Sequence, residues 1–189
     1  RSKQQMRGFG PEFYMQTGES TPARKGEKHV FLPVDGKTIP QRTNYAGPGT
    51  NVSGRVRDQI APINEADRTA LAHDLRYSIA TTVDDIEKAD EKMKAALTKI
   101  LKKPGMSRKQ RLAAQATRGV MRTKSALEKA RILKRGSFGG IGEEDSKISE
   151  EDREMFTRLA DKLGVAGYGY GTRLTGAGTR LTGAGQPMQ

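Results

Sequence analysis

The sequence predicts a mainly α-helical protein: two antiparallel helices preceded by a glycine loop, with extended or low-complexity segments at both ends. Three observations carry this expectation. Apolar residues recur at helical spacing between residues 64 and 101 and again between 107 and 163. Glycine and proline break every period before residue 44. Past Gly164 a seven-residue unit repeats, Gly171 to Ala177 and then Gly178 to Ala184, and two such copies cannot build a solenoid core.

Composition narrows the class. The 189 residues are 34% hydrophobic and 30% charged, too polar and glycine-rich for one large globule, so a small core with partner-dependent segments is expected. Cysteine is absent, which excludes disulfides and thiolate metal sites. No run of 18 apolar residues marks a membrane span, and no signal peptide is visible. The chain opens at Arg1 and is read as a fragment or processed product. The net charge is +12, unevenly spread: residues 1–100 carry +3, residues 101–136 carry +11 and residues 137–189 carry −2.

Taken in order, residues 1–29 read as an extended N-terminal arm, with His29-Val30-Phe31-Leu32-Pro33-Val34 as the first apolar cluster. Asn44 to Tyr77 contains the loop Tyr45-Ala46-Gly47-Pro48-Gly49-Thr50 and then a helix over 64–81, capped by Asn64, with Glu65 and Asp67 in its first turn. Ala66, Ala70, His73 and Tyr77 share a face. Thr82 caps a second helix with the stripe Ile86, Ala89, Met93, Ala96, Leu97, Ile100 and Leu101, ended by Pro104-Gly105. The short turn predicts antiparallel packing, which brings Asp90, at the stripe's edge, towards the first helix. Residues 104–136 form a basic helical segment that opens at Ser107. Residues 137–163 combine an acidic linker with a short amphipathic helix capped by Ser149, and residues 164–189 are a glycine-rich tail.

The loop and the first helix hold candidate chemistry. Calcium takes six to eight oxygen ligands, and backbone carbonyls suit it. Tyr45, Gly47 and Gly49, at alternate positions, can turn their carbonyls towards an ion, and Asp74 can add a carboxylate beside the lone His73. Each half also has a plain structural reading: Gly-Pro-Gly serves as a turn, and a single histidine as a partly buried core residue.

In this order, Tyr45-Ala-Gly47-Pro-Gly49-Thr, Asn64-Glu-Ala-Asp67, His73-Asp74-Leu-Arg-Tyr77 and Ala89-Asp90 resemble the phospholipase A2 domain of parvoviral and densoviral minor capsid proteins, over about residues 30–103. The resemblance implies that Tyr45, Gly47 and Gly49 bind Ca2+ through carbonyls and Asp74 through its side chain. It implies that His73 is the general base, Asp90 its orienting partner, Tyr77 a hydroxyl donor to Asp90, and the Gly47 N–H part of the oxyanion site. Asp84 and Asp85 rival Asp90 for the orienting role, but both suit a helix start. A lipid substrate requires an apolar rim, for which Phe31, Leu32, Ile39 and Ile60 are candidates, with Arg42, Arg55 and Arg57 available to anionic headgroups.

The resemblance further implies a virion-associated enzyme, held in or on a capsid with capsid proteins as partners. It would hydrolyse the sn-2 ester of a phospholipid membrane to breach the host endosomal membrane. Residues 101–136, free of aromatic side chains, suit non-specific attraction to packaged genome, acidic protein or anionic membrane. Lys129-Ala-Arg131-Ile-Leu-Lys134-Arg135 is a candidate nuclear-localisation cluster. The rival reading is a structural internal virion protein that keeps the fold and binds shell proteins and genome. A third is a cellular regulator with a borrowed lipase domain.

Overall fold

A computed structural model describes residues 10–129 and 148–166, the side chains at 123–129 and 164–166 excepted. The expected nuclear-localisation cluster, acidic linker and repeat tail lie outside the described side chains. The described chain is mainly helical: α1 (Pro11–Met15), α2 (Val52–Arg57), α3 (Glu65–Ile79), α4 (Val83–Lys102), α5 (Arg108–Lys129) and α6 (Glu150–Ala166). Two short strands, β1 (Phe31–Leu32) and β2 (Gln41–Arg42), pair antiparallel with Phe31 opposite Arg42. Among the described residues no helix is long and apolar enough to cross a membrane.

The helix starts follow their capping residues. Asn64 accepts from the Asp67 amide at the start of α3. Thr82 and Asp85 form a reciprocal capping box at α4. Ser107 Oγ accepts from the Gln110 amide, and Ser149 Oγ from that of Asp152. Residues α3 and α4 share run in antiparallel order: Lys103 Nζ reaches Glu65 at one end, and Tyr77 reaches Asp90 near the short connection.

α3 is the central element. Every residue from Ala66 to His73 is buried, and the helix touches α2, α4, α5 and α6. A helix buried on all sides must satisfy its polar side chains internally. Arg68 does so by donating to the carbonyls of Tyr14 and Met15, which fastens α1 against α3.

One continuous core contains Tyr14 of α1, Val56 of α2, Leu71 and Leu75 of α3, Leu97 of α4, Ala114 and Met121 of α5, and Phe156 and Leu163 of α6. The compact unit is therefore larger than the 30–103 module expected from sequence. The amphipathic face of α6 is satisfied by α3, and Arg57 of α2 reaches Asp152 of α6 at 2.7 Å. Residues 10–29, expected as an extended arm, are mostly irregular but woven into the fold. The Gly18 amide donates to Pro62 O, and the Tyr14 hydroxyl to Val56 O.

Two of the expected membrane-facing residues are elsewhere. Arg55 is 0% exposed, because α2 turns it inward onto Glu27. Its Nε donates to Glu27 Oε1 at 2.8 Å and its Nη1 to Thr21 Oγ1 at 2.7 Å. Leu32 is buried, while Phe31 and Ile39 are exposed and Ile60 is half-buried. The short helix α2 itself was not anticipated, because Gly54 and the six-residue length give no readable period.

The Glu27–Arg55 pair makes a pH prediction. Burial would raise the Glu27 carboxyl, but hydrogen bonds from Arg55, the Arg24 and Asn51 amides and His29 outweigh it and hold the pKa far below the usual range. A depressed folded-state pKa contributes stability that is present above the unfolded value of about 4.3 and is lost as pH falls towards the folded value. Arg55→Leu, which leaves Glu27 buried without its guanidinium partner, should cost about 3–5 kcal/mol at neutral pH. The cost should shrink as pH falls below about 4. Urea denaturation at pH 7 and in acid checks both points.

Candidate active site

The site is assembled on Asp67. This fully buried carboxylate accepts four backbone N–H groups: Asn44 and Ile63 on Oδ2 at 2.9 and 3.1 Å, and Tyr45 and Ala46 on Oδ1, both at 2.9 Å. Burial raises its pKa above the usual carboxylate value, against the pull of these amides. With two donors aimed at each oxygen, a proton on either would face an N–H, so the carboxylate is the form that the cradle holds.

The cradle fixes the start of the glycine loop. Asn44 is locked as well: its Oδ1 accepts from the Thr21 amide and hydroxyl, and its Nδ2 donates to Glu19 O and Ala61 O. Gly47 has φ 154°, and a Cβ there would stand 2.1 Å from Lys28 O, so a side chain is excluded on both counts. The carbonyls of Tyr45 and Gly47 converge on the Thr50 hydroxyl, at 3.0 and 2.9 Å. Alternate carbonyls thus point to one side of the loop.

Across from the loop, α3 presents His73 and Asp74. His73 Nε2 lies 2.7 Å from Asp90 Oδ1, and the Tyr77 hydroxyl donates to the same oxygen at 2.6 Å. The His73 and Tyr77 rings are 4.2 Å apart between centroids. Since Asp90 is an acceptor, Nε2 carries a hydrogen, and Nδ1 carries the lone pair whenever the ring is neutral. Nδ1 lies 3.3 Å from Asp74 Oδ1. Burial disfavours the imidazolium, but the hydrogen bonds and charges of Asp74 and Asp90 outweigh it, and the His73 pKa is raised. Burial raises the Asp74 carboxyl to about 6, against the pull of His73.

These groups open on one cavity with largely apolar walls. Tyr45, Gly47, His73 and Asp74 line its base. Val30, Phe31 and Leu32 form one wall, Met93 belongs to α4, and Ala116, Thr117, Val120 and Met121 come from α5. Of the expected ligand set, Gly49 is not among the lining residues. Its backbone packs on Gly26, whose carbonyl oxygen a Cβ at Gly49 would meet at 2.8 Å. Asp90 and Tyr77 lie behind His73. Asp84 and Asp85 do not reach His73: Asp85 caps α4 and Asp84 pairs with the exposed Lys88.

The residues fit a hard cation on one observation in particular. Asp74 Oδ2 is buried and has no hydrogen-bond partner, and Tyr45 and Gly47, whose carbonyls turn to one side of their loop, line the same cavity. A buried carboxylate oxygen without a donor is the kind of ligand that a hard cation such as calcium takes, with backbone carbonyls as its usual companions.

A histidine held by one carboxylate, next to a second carboxylate with one unpartnered oxygen, in an apolar cleft, is an arrangement suited to hydrolytic chemistry. Comparison with known families agrees: residues 36–124 match the family described as Phospholipase A2-like domain. The match supports a phospholipase A2 domain and the corresponding hydrolase class. It runs past Lys103 into α5, as the cavity wall does. Comparison with curated proteins and with solved structures gave no match.

Sequence reasoning missed the cradle and the α5 wall. Asp67 was read only as a favourable charge in the first helical turn. No local signal could have found it, because Asp67 lies 17 residues past Thr50 and meets the loop only in the fold. For α5, the four-residue spacing of Leu112, Ala116 and Val120 marked a strip, but nothing in the sequence said what it faced.

Removing the cradle's charge tests its role. Asp67→Asn places an NH2 against N–H donors and should destabilise the fold by about 2–4 kcal/mol. A denaturant midpoint matching the wild type would refute the cradle as an organising element.

Proposed function

We propose that this chain is a calcium-dependent phospholipase A2 that cleaves the sn-2 ester of glycerophospholipids. We further propose that it is carried by a virion, with capsid proteins as neighbours, and acts on the host endosomal membrane as the virus enters. The observation that carries the reading is the linked set Tyr77–Asp90–His73 beside the unpartnered Asp74 Oδ2 in one apolar cleft. The virion setting rests on the resemblance to viral capsid domains alone.

In this reading Asp90 and Tyr77 hold the imidazole in one tautomer, with Nδ1 as the base. Nδ1 takes a proton from a water whose oxygen attacks the sn-2 carbonyl carbon. When the tetrahedral adduct collapses, the ester C–O bond breaks and the imidazolium returns its proton to the departing lysophospholipid oxygen. The fatty acid leaves as the carboxylate. Asp90 stays ionised and stabilises the imidazolium between the two steps. The Gly47 amide serves the developing oxyanion. Tyr45, Gly47 and Gly49 through carbonyls, and Asp74 through its carboxylate, would hold Ca2+, which when bound supplies positive charge to the ester carbonyl. Met93 and the α5 residues exclude water around the acyl chain.

The purified chain should release sn-2 fatty acid from mixed vesicles with calcium and lose that activity to a chelator. His73→Ala should lower kcat by roughly 10³-fold. Asp90→Asn, which frees the imidazole to adopt the wrong tautomer, should cost roughly 10²-fold. Tyr77→Phe keeps the ring stack and removes one hydrogen bond, so it should cost less than about tenfold. Wild-type turnover in His73→Ala would defeat the mechanism. A stable, folded chain with no hydrolysis at any calcium concentration would favour the structural reading, in which the fold binds shell proteins and genome.

A further inference from the structure

We infer that α5 is the membrane-docking element of this protein: its exposed apolar strip and the arginine strip beside it seat the mouth of the cleft on an anionic lipid surface. This rests on the lipid-hydrolase reading for the cleft, and it gives the basic segment a bilayer as its partner instead of packaged nucleic acid.

Three strips run along α5. Ala113, Ala114, Thr117 and Met121 are buried and join it to the core. Leu112, Ala116 and Val120, four residues apart, share the next strip and are exposed, Leu112 at 46% and Val120 at 52%. Arg108, Arg111, Arg118 and Arg122 recur at spacings of three, seven and four and form the third. From Ser107 to Arg122 there is no acidic residue. A helix with a core face, an apolar lip and a cationic flank has the organisation of one lying in the plane of a membrane surface.

The surroundings extend that plane. Val120 and Ala116 line the cavity that holds His73, and so does Phe31 of β1 on the facing wall, 59% exposed. The Arg42 guanidinium sits 5.5 Å above the Phe31 ring, placing a cation beside that apolar tip. At the start of α5, Ser107 Oγ donates to Asp35 Oδ1 and Lys109 Nζ to Lys37 O. These bonds fasten the helix to the turn that leads to Ile39, 67% exposed. Four of the large apolar side chains that the fold leaves exposed, Phe31, Ile39, Leu112 and Val120, therefore belong to elements tied together around or beside one opening. Apolar tips flanked by arginine complement an anionic bilayer, where the tips enter the interface and each cation gains from the surface potential. A nucleic acid would use the cations and leave the apolar lip exposed to water.

The test uses the full chain with His73→Ala, in chelator, so that vesicles stay intact. Vesicles of phosphatidylcholine with phosphatidylglycerol should sediment the protein. Leu112→Glu combined with Ile39→Glu should weaken binding by roughly tenfold or more, and so should Arg118→Glu with Arg122→Glu. The arginine effect should vanish on pure phosphatidylcholine. Circular dichroism melts establish that each variant is folded. The chain has no tryptophan, so Val120→Trp gives an independent readout: its emission should shift blue on anionic vesicles and be quenched by brominated acyl chains. Unchanged vesicle binding in both variant pairs, or a Val120→Trp emission that stays at its water value, would overturn the inference. So would arginine reversal that abolishes binding of a duplex DNA oligonucleotide while sparing vesicles. Vesicle binding that depends on these residues, in a wild-type chain that releases no fatty acid, would support docking and defeat the hydrolase reading separately.

Discussion

The fold depends on one buried carboxylate. Asp67 enters the first turn of α3 with four amides converging on it from residues 44–46 and 63. These amides belong to a loop that has no regular structure to satisfy them. An unpaired buried N–H costs about 1–3 kcal/mol, so without the carboxylate the loop would have to reach for water and leave the core. The same hydrogen bonds set the distance between the loop and α3. They therefore help to set where the Tyr45–Gly47 loop lies relative to the His73–Asp74 pair, nearly two turns further along the helix. A structural charge and the candidate chemistry are thus spaced along one helix.

The second constraint is that α3 has no solvent-facing side over its first half. A helix surrounded by α2, α4, α5 and α6 cannot shift without moving all of them, which suits a helix that carries a base and needs it held to a fraction of an ångström. Burial also makes the electrostatics matter. His73 between Asp74 and Asp90 is more basic than a free imidazole, while Asp74 is pushed up to about 6 by the same desolvation. A cation beside Asp74 would relieve that penalty, which is the physical reason that the unpartnered Oδ2 is informative.

Charge and chemistry are less separate than the distribution along the chain suggests. The basic segment begins after α4, and by sequence it belongs to a different part of the protein. In three dimensions α5 touches β1 and lends Ala116, Thr117, Val120 and Met121 to the cavity lining, so the basic segment and the cleft share one helix. Likewise α6 lies far along the chain from α3 and yet covers it, with Arg76 of α3 donating to Ala160 O at 2.8 Å.

Much of the local structure could be read from the sequence, because it is written in short-range chemistry. Asn64, Thr82, Ser107 and Ser149 cap the four long helices by bonds to residues three positions on, and Pro104-Gly105 stops α4. The spacing of His73, Tyr77 and Asp90 was readable for a related reason: one helical turn and a short connection between helices leave few ways to pack. What the sequence alone could not decide were the long-range partners. Arg55 looks like a surface cation until α2 turns it onto Glu27, 28 residues away. Asp67 looks like a helix-start charge until the loop folds over it. The exposure of Val120 and the burial of Thr117, three residues apart on one helix, follow only from how α5 packs on α4, α3 and β1. Capping and periodicity act within a few residues, whereas burial of a charge or the closing of a cleft depends on which distant segments arrive, and only the tertiary structure decides that.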